Sequence, residues 1–171
     1  MSRYHSYLNS AKEILLSYKG QEPFASFIKK IFSANKKFGS KDRKQISNLC
    51  YCYFRLGKMP AEMPIDEKIL TALFLCSETA NDILLALKPE WNEKTGLSLQ
   101  EKMKLIDEQV SITDIFPWEE ELSEAVEHRR FSESFLVQPG LFLRIRPQNE
   151  NSVKQKLNNE GVLFKLITDS I

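Results

Sequence analysis

The strongest constraint on the fold is an almost wholly apolar run at residues 69–76, Ile-Leu-Thr-Ala-Leu-Phe-Leu-Cys. The run is much shorter than the roughly 18 apolar residues that a membrane-spanning helix needs. A helix that is apolar on all sides must be surrounded by other elements, because no side of it is suited to water. We therefore expect residues 69–76 to form the buried centre of a helical bundle.

Three amphipathic helices are predicted before this run. Apolar side chains recur at steps of three and four residues within residues 4–18, 24–32 and 46–53, which is the spacing of one face of a helix. The predicted boundaries are an end near Gly20 for the first helix, Pro23 at the first position of the second, Ser40 as N-cap of the third, and an end near Gly57 for the third.

Shorter helices are predicted after the apolar run. We expect a helix at residues 81–87 and a loop at residues 88–97. Ser98-Leu99-Gln100-Glu101 is a capping-box pattern, which predicts a helix from there to about Gln109. A last, acidic helix is expected after Phe116-Pro117-Trp118.

The pattern changes beyond Pro139. Residues 141–146 and 162–167 suit strands, and residues 153–159 between them suit a short helix. Two strands and one helix cannot cover both faces of a sheet. The predicted fold class is therefore mainly α, a helical bundle followed by a small, incomplete β-α-β piece.

Positive charge is concentrated at the amino-terminal end. Residues 1–60 hold 12 Lys and Arg against 3 Asp and Glu, a balance of +9, and residues 61–171 hold 12 basic and 20 acidic residues, a balance of −8. The net charge of +1 hides this asymmetry. Such a basic region predicts a polyanionic partner, and we weigh nucleic acid above the alternative of a merely soluble outer face.

The third predicted helix carries the most informative part of this charge. At about 100° per residue, its apolar residues share one side, and Lys, Arg and Tyr51 line the opposite side. Lysine and arginine bind phosphates and an interleaved tyrosine can stack on a base, so this side predicts RNA binding. Arg43 lies near the edge of the apolar side, where a structural ion pair is an alternative role. The predicted RNA-binding residues are Lys29, Lys30, Lys36, Lys41, Arg43, Lys44, Tyr51, Arg55 and Lys58.

Fingerprints of cofactor-dependent enzymes are missing from the sequence. It has no glycine-rich dinucleotide loop, no Walker lysine and no His-Glu-x-x-His pattern. The two histidines are far apart, and Cys50, Cys52 and Cys76 lack zinc-like spacing, so we predict core positions for the cysteines and no metal site. Glutamates 119–127 are expected to form a solvated face rather than an acid–base pair. The odd cysteine count and the polar amino terminus predict a cytoplasmic location.

Two parts of the chain resemble a known family. Residues 38–44, Phe-Gly-Ser-Lys-Asp-Arg-Lys, and residues 49–55, Leu-Cys-Tyr-Cys-Tyr-Phe-Arg, resemble the NusB-like domain of bacterial ribosomal RNA cytosine-C5 methyltransferases, the RsmB or Sun family. That family shows an Asp-Arg pair opening a helix, then an aromatic residue and a terminal Arg, with glycine where this chain has Cys52. Residues 134–147 resemble the segment that introduces the family's catalytic region, with Arg146 where Asn is common.

The resemblance implies a function and a division into domains. It implies a NusB-like helical RNA-binding domain at residues 1–135 and, at residues 136–171, the start of the α/β subdomain that precedes the catalytic domain. The chain would then be the amino-terminal portion of a ribosomal RNA (cytosine-C5) methyltransferase, with ribosomal RNA as its partner. The family binds S-adenosylmethionine in a catalytic domain further on, so we assign no cofactor and no catalytic residue to this chain.

Two alternatives stay open on the sequence alone. A free-standing NusB-like antitermination factor, which binds RNA with a protein partner, has no reason to carry residues 141–167, and the reading frame beyond Ile171 would discriminate. A protein-interaction bundle would instead pair the basic region with an acidic partner or with the chain's own acidic part. Salt would then lower the thermal stability of the fold, because it screens that pairing.

Overall fold

The computed structural model describes residues 2–59, 62–107, 110–140 and 142–167. The chain divides into two compact units, Met1–Gln138 and Pro139–Ile171. The first unit contains the helices α1 Arg3–Ser17, α2 Phe24–Ala34, α3 Ser40–Arg55, α4 Ile65–Cys76, α5 Asp82–Leu87, α6 Pro89–Asn92, α7 Leu99–Ile106 and α8 His128–Leu136. It also has two 3-10 turns, Ile112–Ile115 and Glu119–Glu121, and the second unit contains α9 Glu150–Asn159.

The mainly helical fold and its buried centre are confirmed. Every residue from Ile69 to Leu75 of α4 is buried. The ring of Phe74 is fully buried and stacks on Trp91 with 5.1 Å between ring centroids. Helix α3 packs between α1 and α4, and its Leu49 is also completely buried. Burial of these large apolar side chains holds the bundle together, at about 1.5–3 kcal/mol for each one.

The start of α3 differs from the prediction by one residue. Gly39 is the N-cap and Ser40 is the first helical residue, and the predicted N-cap role of Ser40 is wrong. Gly39 has no side chain with which to cap the helix, but Asp42, the third helical residue, accepts a hydrogen bond of 2.9 Å from the Gly39 N–H. The Tyr7 hydroxyl of α1 donates a second bond, of 2.6 Å, to the same carboxylate. The start of α3 is thereby joined to α1. In α2, Pro23 is the N-cap and Phe24 is the first helical residue, so the predicted role of Pro23 as the first helical residue is wrong by one position.

The capping box at Ser98 is confirmed. Ser98 Oγ accepts from the Glu101 N–H at 3.3 Å, and Glu101 accepts from the Ser98 N–H at 2.9 Å. Helix α7 ends at Ile106 and Asp107 is already extended, so the predicted end near Gln109 is too late. Gln109 itself lies outside the described residues. The predicted loop at residues 88–97 is wrong in part, because Pro89 opens the one-turn helix α6. Proline is favoured at that position, where the missing N–H is not needed.

The predicted acidic helix after Trp118 is wrong. Residues 119–121 form one 3-10 turn, and α8 begins only at His128. Helix α8 begins at His128 because Glu127 is its N-cap. The Glu127 carboxylate accepts hydrogen bonds from the backbone N–H groups of Arg129 and Arg130, both at 3.0 Å. A carboxylate is well placed at this end of a helix, because the helix dipole is positive there.

The second unit does not support the predicted β-α-β piece. Its helix is present as α9, but the described residues on both sides of it form no strand. A strand needs a hydrogen-bonded partner strand. The Val162 N–H instead closes the end of α9 on the Leu157 carbonyl at 2.9 Å, and Leu163 beyond it is 99% exposed. Apolar residues alone therefore do not produce a sheet here.

Candidate nucleic-acid interface

Neighbouring helices cover every side of α3 except one. Cys50 faces α1, where its thiol lies 3.9 Å from the Ala11 carbonyl oxygen, and Cys52 faces Cys76 of α4. Phe54 packs on Phe24 of α2, with 4.7 Å between the ring centroids. At about 100° per residue, one continuous side of α3 remains uncovered. We call this side the basic strip. It consists of the exposed residues Lys41, Lys44, Asn48 and Tyr51 and ends at Arg55, which is half-buried.

Four of the predicted lysines are exposed and form no ion pair within the described residues. Lys29, Lys36, Lys41 and Lys44 are exposed, and their side chains form no ion pair or hydrogen bond with any other residue that the structure describes. An ammonium group that is not already paired keeps its full attraction for a phosphate, although salt screens that attraction. Lys41 and Lys44 lie together on the basic strip, and Lys29 and Lys36 lie on α2 and just after it.

Tyr51 gives the basic strip an aromatic surface. Its side chain is 41% exposed, and its ring meets the ring of Phe24 edge-on with 5.6 Å between centroids. Phe54, one turn further, is 39% exposed. An aromatic ring that is held by a neighbour but still exposed is suited to stacking on an unpaired base.

Arg43 and Lys30 are engaged within the protein. The Arg43 Nε donates a hydrogen bond of 2.9 Å to the Phe38 carbonyl, and its guanidinium lies 5.9 Å from the centre of the Phe32 ring. These contacts agree with the alternative that Arg43 has a structural role. Its partners are a backbone carbonyl and an aromatic ring rather than a carboxylate. Lys30 forms an ion pair of 2.8 Å with Glu22, although its side chain stays well exposed.

Arg55 and Lys58 lie at the end of α3 beside other parts of the first unit. Arg55 donates a hydrogen bond to Gln138, and its charge helps to lower the pKa of Cys76. The ammonium of Lys58 lies 5.6 Å from the centre of the Trp118 ring, which is 42% exposed. Trp118 is thus a further exposed aromatic ring, beside a predicted RNA-binding lysine. Sequence reasoning missed it because it is far from Lys58 along the chain.

The described residues hold no cluster of metal ligands. No three His, Cys, Asp or Glu side chains within them lie close enough together to bind a metal. His128 instead places its Nε2 2.6 Å from the Phe116 carbonyl oxygen, and His5 bonds to Ser2 at 3.0 Å. The glutamates at 119–121 are exposed, in agreement with the expectation of a solvated face.

Among all the residues that the structure describes, no helix is long and apolar enough to cross a membrane.

Comparison with known proteins adds no relative. No family model, no curated protein and no solved structure matches this chain.

Proposed function

We propose that this chain is an RNA-binding unit that contacts RNA through the basic strip, with Lys29 and Lys36 as flanking phosphate contacts. The observation that carries the proposal is that Lys41 and Lys44 are exposed, form no ion pair with any described residue, and lie beside the exposed ring of Tyr51. Phosphate groups need several cations on one surface, and an adjacent ring adds stacking on a base.

The wider proposal follows the family resemblance. The chain would form the amino-terminal portion of an S-adenosylmethionine-dependent ribosomal RNA (cytosine-C5) methyltransferase, holding ribosomal RNA in the cytoplasm while a separate domain transfers the methyl group. The helical first unit and its exposed basic strip support this role. The residues 77–115 contribute α5 to α7 to the same unit and carry none of the proposed RNA contacts.

The distribution of ion pairs favours RNA over pairing of the basic region with the chain's own acidic part. Lys12 of α1 pairs with Asp66 of α4 at 2.6 Å, which does connect the two regions. The lysines of the basic strip make no such pair within the described residues. Their charge is therefore available to an external anion.

Charge reversal of the basic strip tests the proposal. Fluorescence anisotropy with a labelled single-stranded ribosomal RNA fragment measures the affinity across a range of salt concentrations. Each phosphate contact contributes a slope of about −0.7 in a plot of log affinity against log salt. Lys41→Glu with Lys44→Glu should make the slope shallower by about 1.4 and weaken binding at low salt.

The matched control reverses two exposed lysines elsewhere, Lys94→Glu with Lys104→Glu, and changes the net charge equally. If both double variants lose affinity equally, only net charge matters and the basic strip is not the interface. Tyr51→Leu should lower the affinity by about 1–3 kcal/mol through lost stacking, and Tyr51→Phe should retain it. Salt-independent binding by the unaltered protein would refute RNA contact through phosphates.

A further inference from the structure

Two cysteines that lie on different helices meet inside the first unit. Cys52 is on the side of α3 that faces α4, and Cys76 is the last residue of α4. The Cys52 sulfur lies 3.9 Å from the Asn48 side-chain oxygen, and Asn48 lines a cavity together with Cys76. The two cysteines are therefore neighbours although they are distant in sequence, and each thiol shifts the pKa of the other. Neither cysteine is in a disulfide. We call these two residues the thiol pair.

Positive groups surround the Cys76 side of the thiol pair. The positive charge of the Arg55 guanidinium, one turn after Cys52, acts on the Cys76 thiol and favours its charged form, which lowers its pKa. The ammonium of Lys102, which is buried and donates to the Ser77 carbonyl at 2.6 Å, adds a second positive charge nearby. The hydrogen bond from Cys52 and the charge of Arg55 lower the pKa of Cys76 below its usual value, although burial acts in the opposite direction. A thiolate, not a thiol, is the reactive form of cysteine.

Small molecules can reach Cys76 but not Cys50. Cys76 is only partly buried and lines an open cavity of about 460 Å³, together with Asn48 of α3 and Asn81 before α5. Cys50 is completely buried, and burial raises the pKa of its thiol to about 12. Cys50 is therefore a core residue, as predicted from the sequence, whereas Cys76 combines access, a partner thiol and neighbouring cations.

We propose that the thiol pair is an oxidation site, at which hydrogen peroxide converts Cys52 and Cys76 into a disulfide that links α3 to α4. This goes beyond RNA binding and does not depend on it. In the first step the Cys76 thiolate attacks one peroxide oxygen, the O–O bond breaks, and hydroxide leaves and takes up a proton as water. Cys76 is then a sulfenic acid.

In the second step the Cys52 sulfur attacks the Cys76 sulfur. The S–S bond forms, the S–O bond breaks, and hydroxide leaves with the Cys52 proton as a second water. Two thiols are thus oxidised while one peroxide is reduced to two waters. Because the two cysteines are neighbours on helices that already pack together, a small adjustment brings their sulfurs into the narrow geometry of a disulfide.

Mass spectrometry of the folded full chain tests the proposal. The protein is treated with hydrogen peroxide, remaining thiols are blocked with N-ethylmaleimide, and tryptic peptides are compared with and without reduction. We expect loss of two hydrogen atoms and a linked peptide pair. Fragmentation must place the bond between Cys52 and Cys76. A bond from Cys50, or a folded protein whose thiols stay unmodified at excess peroxide, would overturn the proposal.

Two variants sharpen the result. Cys50→Ala should still form the disulfide, whereas Cys52→Ala should stop at the sulfenic acid of Cys76, which a dimedone probe labels. Equal behaviour of the two variants would contradict the assigned roles. Arg55→Gln should slow the reaction of Cys76 by about threefold for each unit by which its pKa rises, because the loss of thiolate outweighs its greater nucleophilicity. Lys94→Gln should leave the rate unchanged. An unchanged rate in Arg55→Gln would contradict the effect of the Arg55 charge on Cys76.

Discussion

A single added methyl group at Gly57 should strongly destabilise the first unit. Gly57 follows α3 and has a φ of +55°, in the left-handed region that side chains disfavour. A Cβ atom built there would lie 2.1 Å from the Ile115 carbonyl oxygen and 3.0 Å from its carbonyl carbon. The obstacle is backbone, and the same Ile115 oxygen accepts a hydrogen bond of 3.1 Å from the Lys58 N–H. The chain must therefore shift to accept Gly57→Ala.

The expected magnitude combines three effects. The left-handed conformation costs a residue with a side chain about 1–2 kcal/mol, and overpacking that moves the backbone costs about 1–3 kcal/mol. Alanine also restricts the unfolded chain, which offsets about 0.4–1 kcal/mol. The free energy of unfolding should thus fall by about 2–4 kcal/mol, a large part of the roughly 5–15 kcal/mol that holds a typical domain folded.

Urea denaturation followed by helical circular dichroism measures this loss, and two other glycines are matched controls. With a slope of about 2 kcal/mol per molar urea, the midpoint should fall by about 1–2 M. Gly20 has a φ of +79° and no atom within 4 Å of the added Cβ, so Gly20→Ala isolates the cost of the conformation. Gly96 also has open space, and no left-handed φ is found there, so Gly96→Ala should not destabilise. Equal losses in Gly57→Ala and Gly20→Ala would refute the role of the close approach to Ile115.

Two further predictions concern the helix starts. Ser98→Ala removes the capping box of α7 and should lower the free energy of unfolding by about 1 kcal/mol, measured by the same urea titration; no change would show that α7 is stabilised by packing alone. The hydrogen bonds from Tyr7 and from the Gly39 N–H hold the pKa of Asp42 below its usual 3.8. A carboxyl group with a lowered pKa in the folded state stabilises the fold above its unfolded pKa, and that contribution is lost as the pH falls through the folded pKa. In Tyr7→Phe, carbon NMR should therefore find the Asp42 pKa closer to 3.8. Urea titrations at several pH values should show that this variant loses less stability in acid than the unaltered protein. An unchanged Asp42 pKa would contradict the hydrogen bond.

The helices and the exposed side of α3 could be predicted from the sequence because they depend on local spacing. The run at residues 69–76 requires burial on every side, and α4 is buried as expected. The alternation of apolar and basic residues in α3 likewise predicted an exposed side that bears Lys41, Lys44 and Tyr51. The strands were predicted wrongly for a related reason. Apolar residues at 162–167 permit a strand, but a strand also needs a partner, which local spacing does not supply.

The sequence by itself determined the helical bundle, its buried centre and the charge on one side of α3. Only the tertiary structure decided which side chains meet across that bundle. It places Arg43 against the Phe38 carbonyl, Arg55 against Gln138 and Cys76, and Gly57 against the Ile115 carbonyl. It also turns two cysteines that looked like core residues into the thiol pair. The physical reason is that helix periodicity follows from neighbours three and four residues apart, whereas these contacts depend on how whole helices pack.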